Sequence, residues 1–277
     1  MLPMNLDFDE DEIRRYSRHI LLAEVGGIGQ AKLREARVLV VGAGGLGSPL
    51  LLYLAAAGIG TIGLIDDDTV DLSNLQRQIA HTTPDIGRAK VDAAAARARA
   101  INPAVTIETH HARLSPDNAL ELIAGYDIVC DGTDNFPARF VIADACVLAK
   151  RTLVTAAVLR FEGQLSVHKP HAGEAFPCYR CLYPEPPPDG LVPSCAEAGV
   201  LGAVTGVMGT LQATEVLKEI MGIGETLAGR LLIWDALATR FRTIRLKRDP
   251  ACPACGAHAT LHDLSAHQSV AEPVCAV

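Results

Sequence analysis

The sequence predicts a doubly wound α/β fold, a mainly parallel sheet with antiparallel strands added at its C-terminal end. Short β-rich runs alternate with helical runs from Val38 to Ala156, the pattern of a parallel sheet with helices on both faces. A glycine-rich turn, Gly42-Ala-Gly44-Gly45-Leu-Gly47, joins the first strand of the series to its first helix. Beyond residue 160 the pattern changes to an alternating strand, a proline-rich loop, a long helix and two further strands, which read as antiparallel additions.

Each element has its own signal. Residues 9–22 carry Ile13, Tyr16, Ile20 and Leu21 at helical spacing opposite an arginine-bearing side, an N-terminal helix. Val38–Val41 is a buried strand, Ser48–Ala57 a helix that tolerates Pro49 in its first turn, and Thr61–Ile65 a second strand. The alternation continues with a helix near Arg88–Ala100, a strand near Val105–Thr109, and a short helix near Asn118–Ile123. A strand at Asp127–Cys130, a helix at Ala138–Leu148 and a strand at Leu153–Ala156 complete it. Gln164–His168 alternates as a half-buried strand. A helix near 199–221 and strands at Leu231–Trp234 and Arg242–Leu246 follow. From about Gly256 the chain is Ala/His-rich with little periodicity and reads as a mobile tail.

Composition excludes several function classes. With 25 Lys and Arg against 32 Asp and Glu, the formal charge is −7. A nucleic-acid partner is therefore not expected, because phosphate-backbone binding needs a cationic surplus. The acidic start MLPMNLDFDEDEIRR is unlike a secretion signal, so the expected location is the cytoplasm. Val38–Ile65 contains no charged residue and imitates a membrane span. Its glycines divide it into strand, loop, helix and strand, so no membrane association is expected.

The glycine turn fits G-x-G-x-x-G between a strand and a helix, with Asp66 about twenty residues on at the end of the next strand. This is the full Rossmann-type fingerprint. Glycines let the backbone approach phosphates at a helix N-terminus, where free amides favour anions, and the acid accepts ribose hydroxyls. The fingerprint specifies an adenine nucleotide without separating NAD from ATP. Downstream lie Asp66-Asp67-Asp68, Asn74, Arg77, Gly87-Arg88-Ala-Lys90 and Asp131-Gly-Thr-Asp134-Asn135. This ordered set resembles the MoeB/ThiF/HesA adenylyltransferases, relatives of ubiquitin-activating enzymes. The resemblance runs from about Tyr16 to Cys255 and is strongest to the molybdopterin-synthase adenylyltransferase branch.

The chemistry such enzymes perform suits these residues. A carboxylate attacking the α-phosphate of ATP brings two anions together, so cations must offset the charge. Arg77 and Lys90 are the candidates, and Asp134, at a strand's C-terminal end, suits Mg²⁺. The resemblance implies Asp66 on the ribose, Asn74, Arg77 and Lys90 around the triphosphate, and Asp134 on the metal. It also implies a homodimer in which Arg18 reaches the partner subunit's site. The implied substrate is a ubiquitin-like sulfur-carrier protein of the MoaD/ThiS type, adenylated at a C-terminal glycine for molybdopterin or thiamine synthesis. The expected organisation is one adenylation domain over 1–256 and a flexible tail over 257–277. No rhodanese-like domain is expected within the 277 residues, so a separate sulfurtransferase would supply sulfur.

The eight cysteines point to metal or catalysis in a cytosolic chain. Cys178-Tyr-Arg-Cys181 and Cys252-Pro-Ala-Cys255 each allow two thiolates on one Zn²⁺, and together they make a closed tetrahedral set. About 70 residues separate the pairs, more than the roughly 15–20 of a zinc ribbon, so a redox dithiol stays open on spacing alone. The resemblance favours a zinc knuckle closed from two distant CxxC pairs. Cys195 lies on the proline-rich loop before a helix, where a thiol can be activated; in parts of the family the matching cysteine bonds covalently to the carrier. Cys130 and Cys146 read as core residues and Cys275 receives no role. The rival readings are an NAD-dependent oxidoreductase, a binding module without catalysis, and a tRNA-modifying member of the same family.

Overall fold

Local sequence accounts for the first helix. In the computed structural model, which describes residues 6–188, 191 and 198–267, α1 spans Glu10–Ile20. Asp9 takes the Glu12 amide at 2.8 Å while the Glu12 carboxylate takes the Asp9 amide at 3.0 Å, a reciprocal cap on amides that a helix start leaves open. Of the expected apolar stripe only Tyr16 is buried; Ile13 is 50% and Leu21 73% exposed. Helix α2 (Gly26–Glu35) was not expected, because its glycine-rich start has poor helix propensity. Burial of Ala31 and Leu33 overrides that preference.

The alternating series is β1 (Arg37–Val41), α3 (Gly47–Ala57), β2 (Thr61–Ile65), α4 (Lys90–Ile101), β3 (Thr106–His110), α5 (Ala119–Ala124), β4 (Ile128–Asp131), α6 (Phe136–Leu148) and β5 (Thr152–Leu159). These five strands are parallel in the order β3-β2-β1-β4-β5. The winding direction reverses between β1 and β4, and a crevice opens beyond their C-terminal ends, where open α/β sheets bind ligands. Alternation along β1 builds the two cores. Val38 and Val40 pack with α3 and α4, whereas Leu39 and Val41 pack with α5 and α6. The uncharged run 38–65 is thus buried on both sides as strand, helix and strand. Among the described residues no helix is long and apolar enough to cross a membrane.

From β5 the chain turns back through Arg160, at φ 54°, into β6 (Glu162–His168). Short α7 (Tyr179–Leu182), long α8 (Gly202–Met221), β7 (Arg230–Asp235) and β8 (Arg240–Arg245) follow. Strands β6, β7 and β8 extend the sheet antiparallel to eight strands, as expected from the change in pattern. The stretch after 256, expected as a tail, packs as far as it is described. Leu264 enters the second core and His267 Nε2 lies 2.8 Å from Asp144 Oδ2 on α6. One apolar anchor and one buried acid hold a segment whose composition gave no periodicity.

Candidate functional site

The glycine turn is shaped by contacts that side chains cannot make. Gly42 has φ 95°, a conformation open to glycine at little cost, and its amide donates to Ile65 O at 2.8 Å. A Cβ on Gly47 would fall 1.8 Å from Gly42 O, so α3 starts against the turn only because that atom is missing. Asp66, at the end of β2, braces the turn: Oδ2 accepts the Ala43 amide at 2.7 Å and Oδ1 the Asp68 amide at 2.9 Å. Burial pushes the Asp66 pKa up, and the two amide bonds and Lys90 only partly counter it. From behind, His81 Nε2 lies 3.0 Å from Ala43 O and donates to it. Burial holds the His81 pKa below its ordinary value, which keeps the imidazole neutral.

Gly42, Gly44 and Gly45 open onto a cavity of about 360 Å³ whose wall also contains Asp66, Arg77, Lys90 and Asp134. Lys90 is the first residue of α4 and is buried; its Nζ sits 2.7 Å from Asp68 Oδ2, and its amide donates to Asp68 O at 2.9 Å. Arg77 Nη1 donates to Ser73 O at 3.1 Å. Asp134 is exposed on the turn after β4. That turn is organised by buried Asp131, whose Oδ1 accepts from the Thr133 amide and hydroxyl and whose Oδ2 accepts from Thr155 Oγ1 at 2.8 Å. Asn135 then caps α6 by taking the Ala138 amide at 2.9 Å.

Not every expected residue reaches the cavity. Asn74 closes a 3₁₀ turn, with Oδ1 accepting the Asp71 amide at 3.3 Å, and does not line the wall. Gly47 lies behind the turn for the steric reason above. Arg18 is exposed on α1, away from this chain's own cavity. Cys195 and Cys275 fall outside the described residues. Cys130, on β4, is buried in the first core and Cys146, on α6, in the second, and burial pushes both thiols up.

A second cavity of about 470 Å³ adjoins the first, and the two share Asp134, Asn135, Arg139 and Val158. Its floor is the face of β5 and β6 bearing Thr155, Ala157, Gln164 and Ser166, and its far wall is Tyr179 and Tyr183. Sequence reading missed this cavity because its walls come from separate elements. It gave no role to Asp68 and did not single out Arg139. The one local hint at Arg139 is weak: a cation in the first turns of a helix opposes the macrodipole.

The four knuckle cysteines converge. Sγ–Sγ distances are 3.9 Å for Cys178–Cys181, 3.5 Å for Cys178–Cys252 and 3.4 Å for Cys181–Cys255. All four sulfurs lie within 4.8 Å of one another. Tetrahedral Zn–S bonds of about 2.3 Å place ligand sulfurs about 3.8 Å apart, so the set fits zinc and is far too open for disulfides. The Asp249 amide points at Cys181 Sγ at 3.4 Å and the Arg248 guanidinium donates to Cys255 O, supports of the kind that orient metal ligands.

The arrangement suits a two-substrate reaction. A glycine turn at a helix start lines one cavity together with Arg77, Lys90, Arg113, Arg139 and four aspartates, and a second, mainly apolar cavity opens beside it. The sequence signature of the ThiF family matches residues 16–254. The chain is 49% identical over 257 residues to the sulfur carrier protein adenylyltransferase of Thermus thermophilus, covering 92% of this chain and 95% of that one. It is 53% identical over 269 residues to the bovine adenylyltransferase and sulfurtransferase MOCS3, covering 97% of this chain but only 58% of that longer protein. Among solved structures, PaaA superposes with a TM-score of 0.73 at 27% identity, over 86% of this chain and 75% of that one. With the glycine turn, the sheet order and these similarities in agreement, the chain belongs to the ThiF family.

Proposed function

We propose that this protein is an adenylyltransferase that uses ATP to activate the C-terminal carboxylate of a ubiquitin-like sulfur-carrier protein. The observation that carries this reading is the pair of joined cavities, one with the glycine turn, Arg77, Lys90 and Asp134, the other apolar and sized for an extended peptide end. ATP lies with its phosphates on Gly42–Gly47 and its ribose at Asp66. A carboxylate oxygen of the carrier bonds to the α-phosphorus as the bridging α–β bond breaks, and pyrophosphate leaves; no proton or electron need move. Arg77 and Lys90 offset the charge that builds on the phosphates. A Mg²⁺ ion held by Asp134 would neutralise pyrophosphate as it forms. An NAD-dependent reaction needs none of these three groups.

Several parts of the reading extend beyond one chain. The exposed Ile13 on α1, the exposed Leu21 that caps its C-terminus and the outward Arg18 support a homodimer in which Arg18 enters the partner's site. Asn74 joins the triphosphate after the 3₁₀ turn adjusts to ligand. Zinc on Cys178, Cys181, Cys252 and Cys255 holds the knuckle. The acyl-adenylate is released to a separate sulfurtransferase, for molybdopterin or thiamine synthesis in the cytoplasm, with Cys195 available as a covalent acceptor.

ATP–pyrophosphate exchange with Mg²⁺ tests the reading, using carriers of the molybdopterin and thiamine type and a carrier lacking its last two glycines. Exchange that needs one intact carrier supports it. Absence of exchange with every carrier, despite measured ATP binding, overturns it.

A further inference from the structure

We infer that Arg139 is the residue that receives the carboxylate of the incoming peptide, and that it lies on the wall shared by the two cavities for this purpose. The inference rests on the proposed adenylation and deepens it. Arg139 is only 9% exposed yet lines both cavities. Its Nη2 donates to Thr133 O at 2.6 Å, and among the described residues no carboxylate forms an ion pair with it. Burial lowers its pKa, but the charges of Asp131 and Asp134, reaching it from beyond ion-pair distance, and the Tyr179 hydroxyl outweigh burial, so its pKa stands above the ordinary arginine value; the oxygens of Asp131 are themselves bonded to Thr133 and Thr155.

A buried cation without a partner is costly unless an anion completes its site. Here the cost is greater, because Arg139 sits in the first turns of α6, where the helix field already disfavours positive charge. A guanidinium cannot relieve this by losing its proton. Among the described residues no carboxylate touches the fork directly, and an anionic ligand would complete it.

Two anions come to this site, the phosphates and the peptide carboxylate. The phosphates have Arg77, Lys90 and the glycine amides, none of which lines the second cavity. Arg139 does, together with Phe136, Leu182 and Tyr183 and with polar Thr155, Gln164 and Ser166, and, among the described residues, without a further cation, a wall that suits a peptide and not a triphosphate. Its planar fork matches a carboxylate, and its place on the shared wall puts the carboxylate where the two cavities meet. Tyr179, buried in α7 with its hydroxyl beside the guanidinium, and Thr133 O fix the fork's direction.

The test compares Arg139→Gln and Arg139→Lys with the unaltered protein in carrier-dependent exchange, with ATP binding measured separately. Losing a hydrogen bond to a charged group costs about 10- to 100-fold, so Arg139→Gln should raise the carrier KM by that factor while the ATP Kd stays within about twofold. Arg139→Lys should recover part of the loss. A raised ATP Kd with an unchanged carrier KM overturns the inference and assigns Arg139 to the phosphates. If Arg139→Gln does not fold, the unaltered protein decides through inhibition by a short peptide matching the carrier's end. Its free carboxylate form should inhibit and its C-terminal amide should be at least 10-fold weaker; equal inhibition overturns the inference. Absence of exchange in the unaltered protein refutes the adenylation reading instead, so the two failures are distinguishable.

Discussion

Two glycines of the nucleotide turn should respond to the same substitution in different ways. In Gly47→Ala the new Cβ falls 1.8 Å from Gly42 O and 2.9 Å from its carbonyl carbon. Ordinary contact begins at 3.4 Å, so the turn or the start of α3 must move by about 1.6 Å, and the obstacle is backbone. Overpacking of this kind costs up to about 3 kcal/mol, or roughly 6–12 °C in Tm for a chain of this size. In Gly44→Ala the Cβ meets only Gln78 Nε2, at 3.7 Å, on the wall of the first cavity. That variant should melt within about 2 °C of the unaltered protein. Its methyl group nevertheless stands where a phosphate must approach the amides, and one lost charge-assisted hydrogen bond weakens ATP about 10- to 100-fold. Thermal melts and ATP titration separate the two effects. Equal stability of Gly47→Ala and the unaltered protein, or unchanged ATP affinity in Gly44→Ala, would refute the steric account of the turn.

Removing Arg77, Lys90 or Asp134 as alanine variants should each lower exchange by about 10²–10³, and near-normal rates in all three would remove the site assignment. Metal analysis should find one zinc per chain, lost in Cys178→Ser together with stability; a metal-free protein of equal stability argues for another role of the cysteines. His168 is 2% exposed and burial pushes its pKa down to about 4. Its native form binds fewer protons than the unfolded chain, so this group's contribution is intact above pH 6.5 and is lost as pH falls toward 4. The loss amounts to about 2 kcal/mol by pH 5. Urea melts at pH 7 and pH 5 should show that component in the unaltered protein and not in His168→Leu, whereas equal pH dependence would mean that the imidazole titrates normally.

Features carried by neighbouring residues were legible in the sequence. The strand, glycine turn and helix from Val38 to Ala57, and Asp66 at the end of the next strand, follow from backbone conformations that only certain residues permit and from hydrophobic periodicity. Both act over a few residues, so order along the chain is enough to read them. The same locality makes two CxxC pairs recognisable as metal ligands, although about 70 residues of intervening chain left their partnership open.

Tertiary structure alone decided what distant segments do when they meet. Helix α2 exists because burial overrides a glycine-rich start, and Leu264 holds a stretch whose composition suggested a tail because a core lay within reach. Folding brings the four sulfurs within 4.8 Å, turns Lys90 onto Asp68, and joins the second cavity to the first at Arg139. A lone arginine in a helix reads as a solvated surface charge. Only the packing of α6, α7 and the sheet shows that it is buried, without a carboxylate in direct contact among the described residues, and on the wall of both cavities, since burial and contacts are properties of the assembled fold and not of its neighbours in sequence.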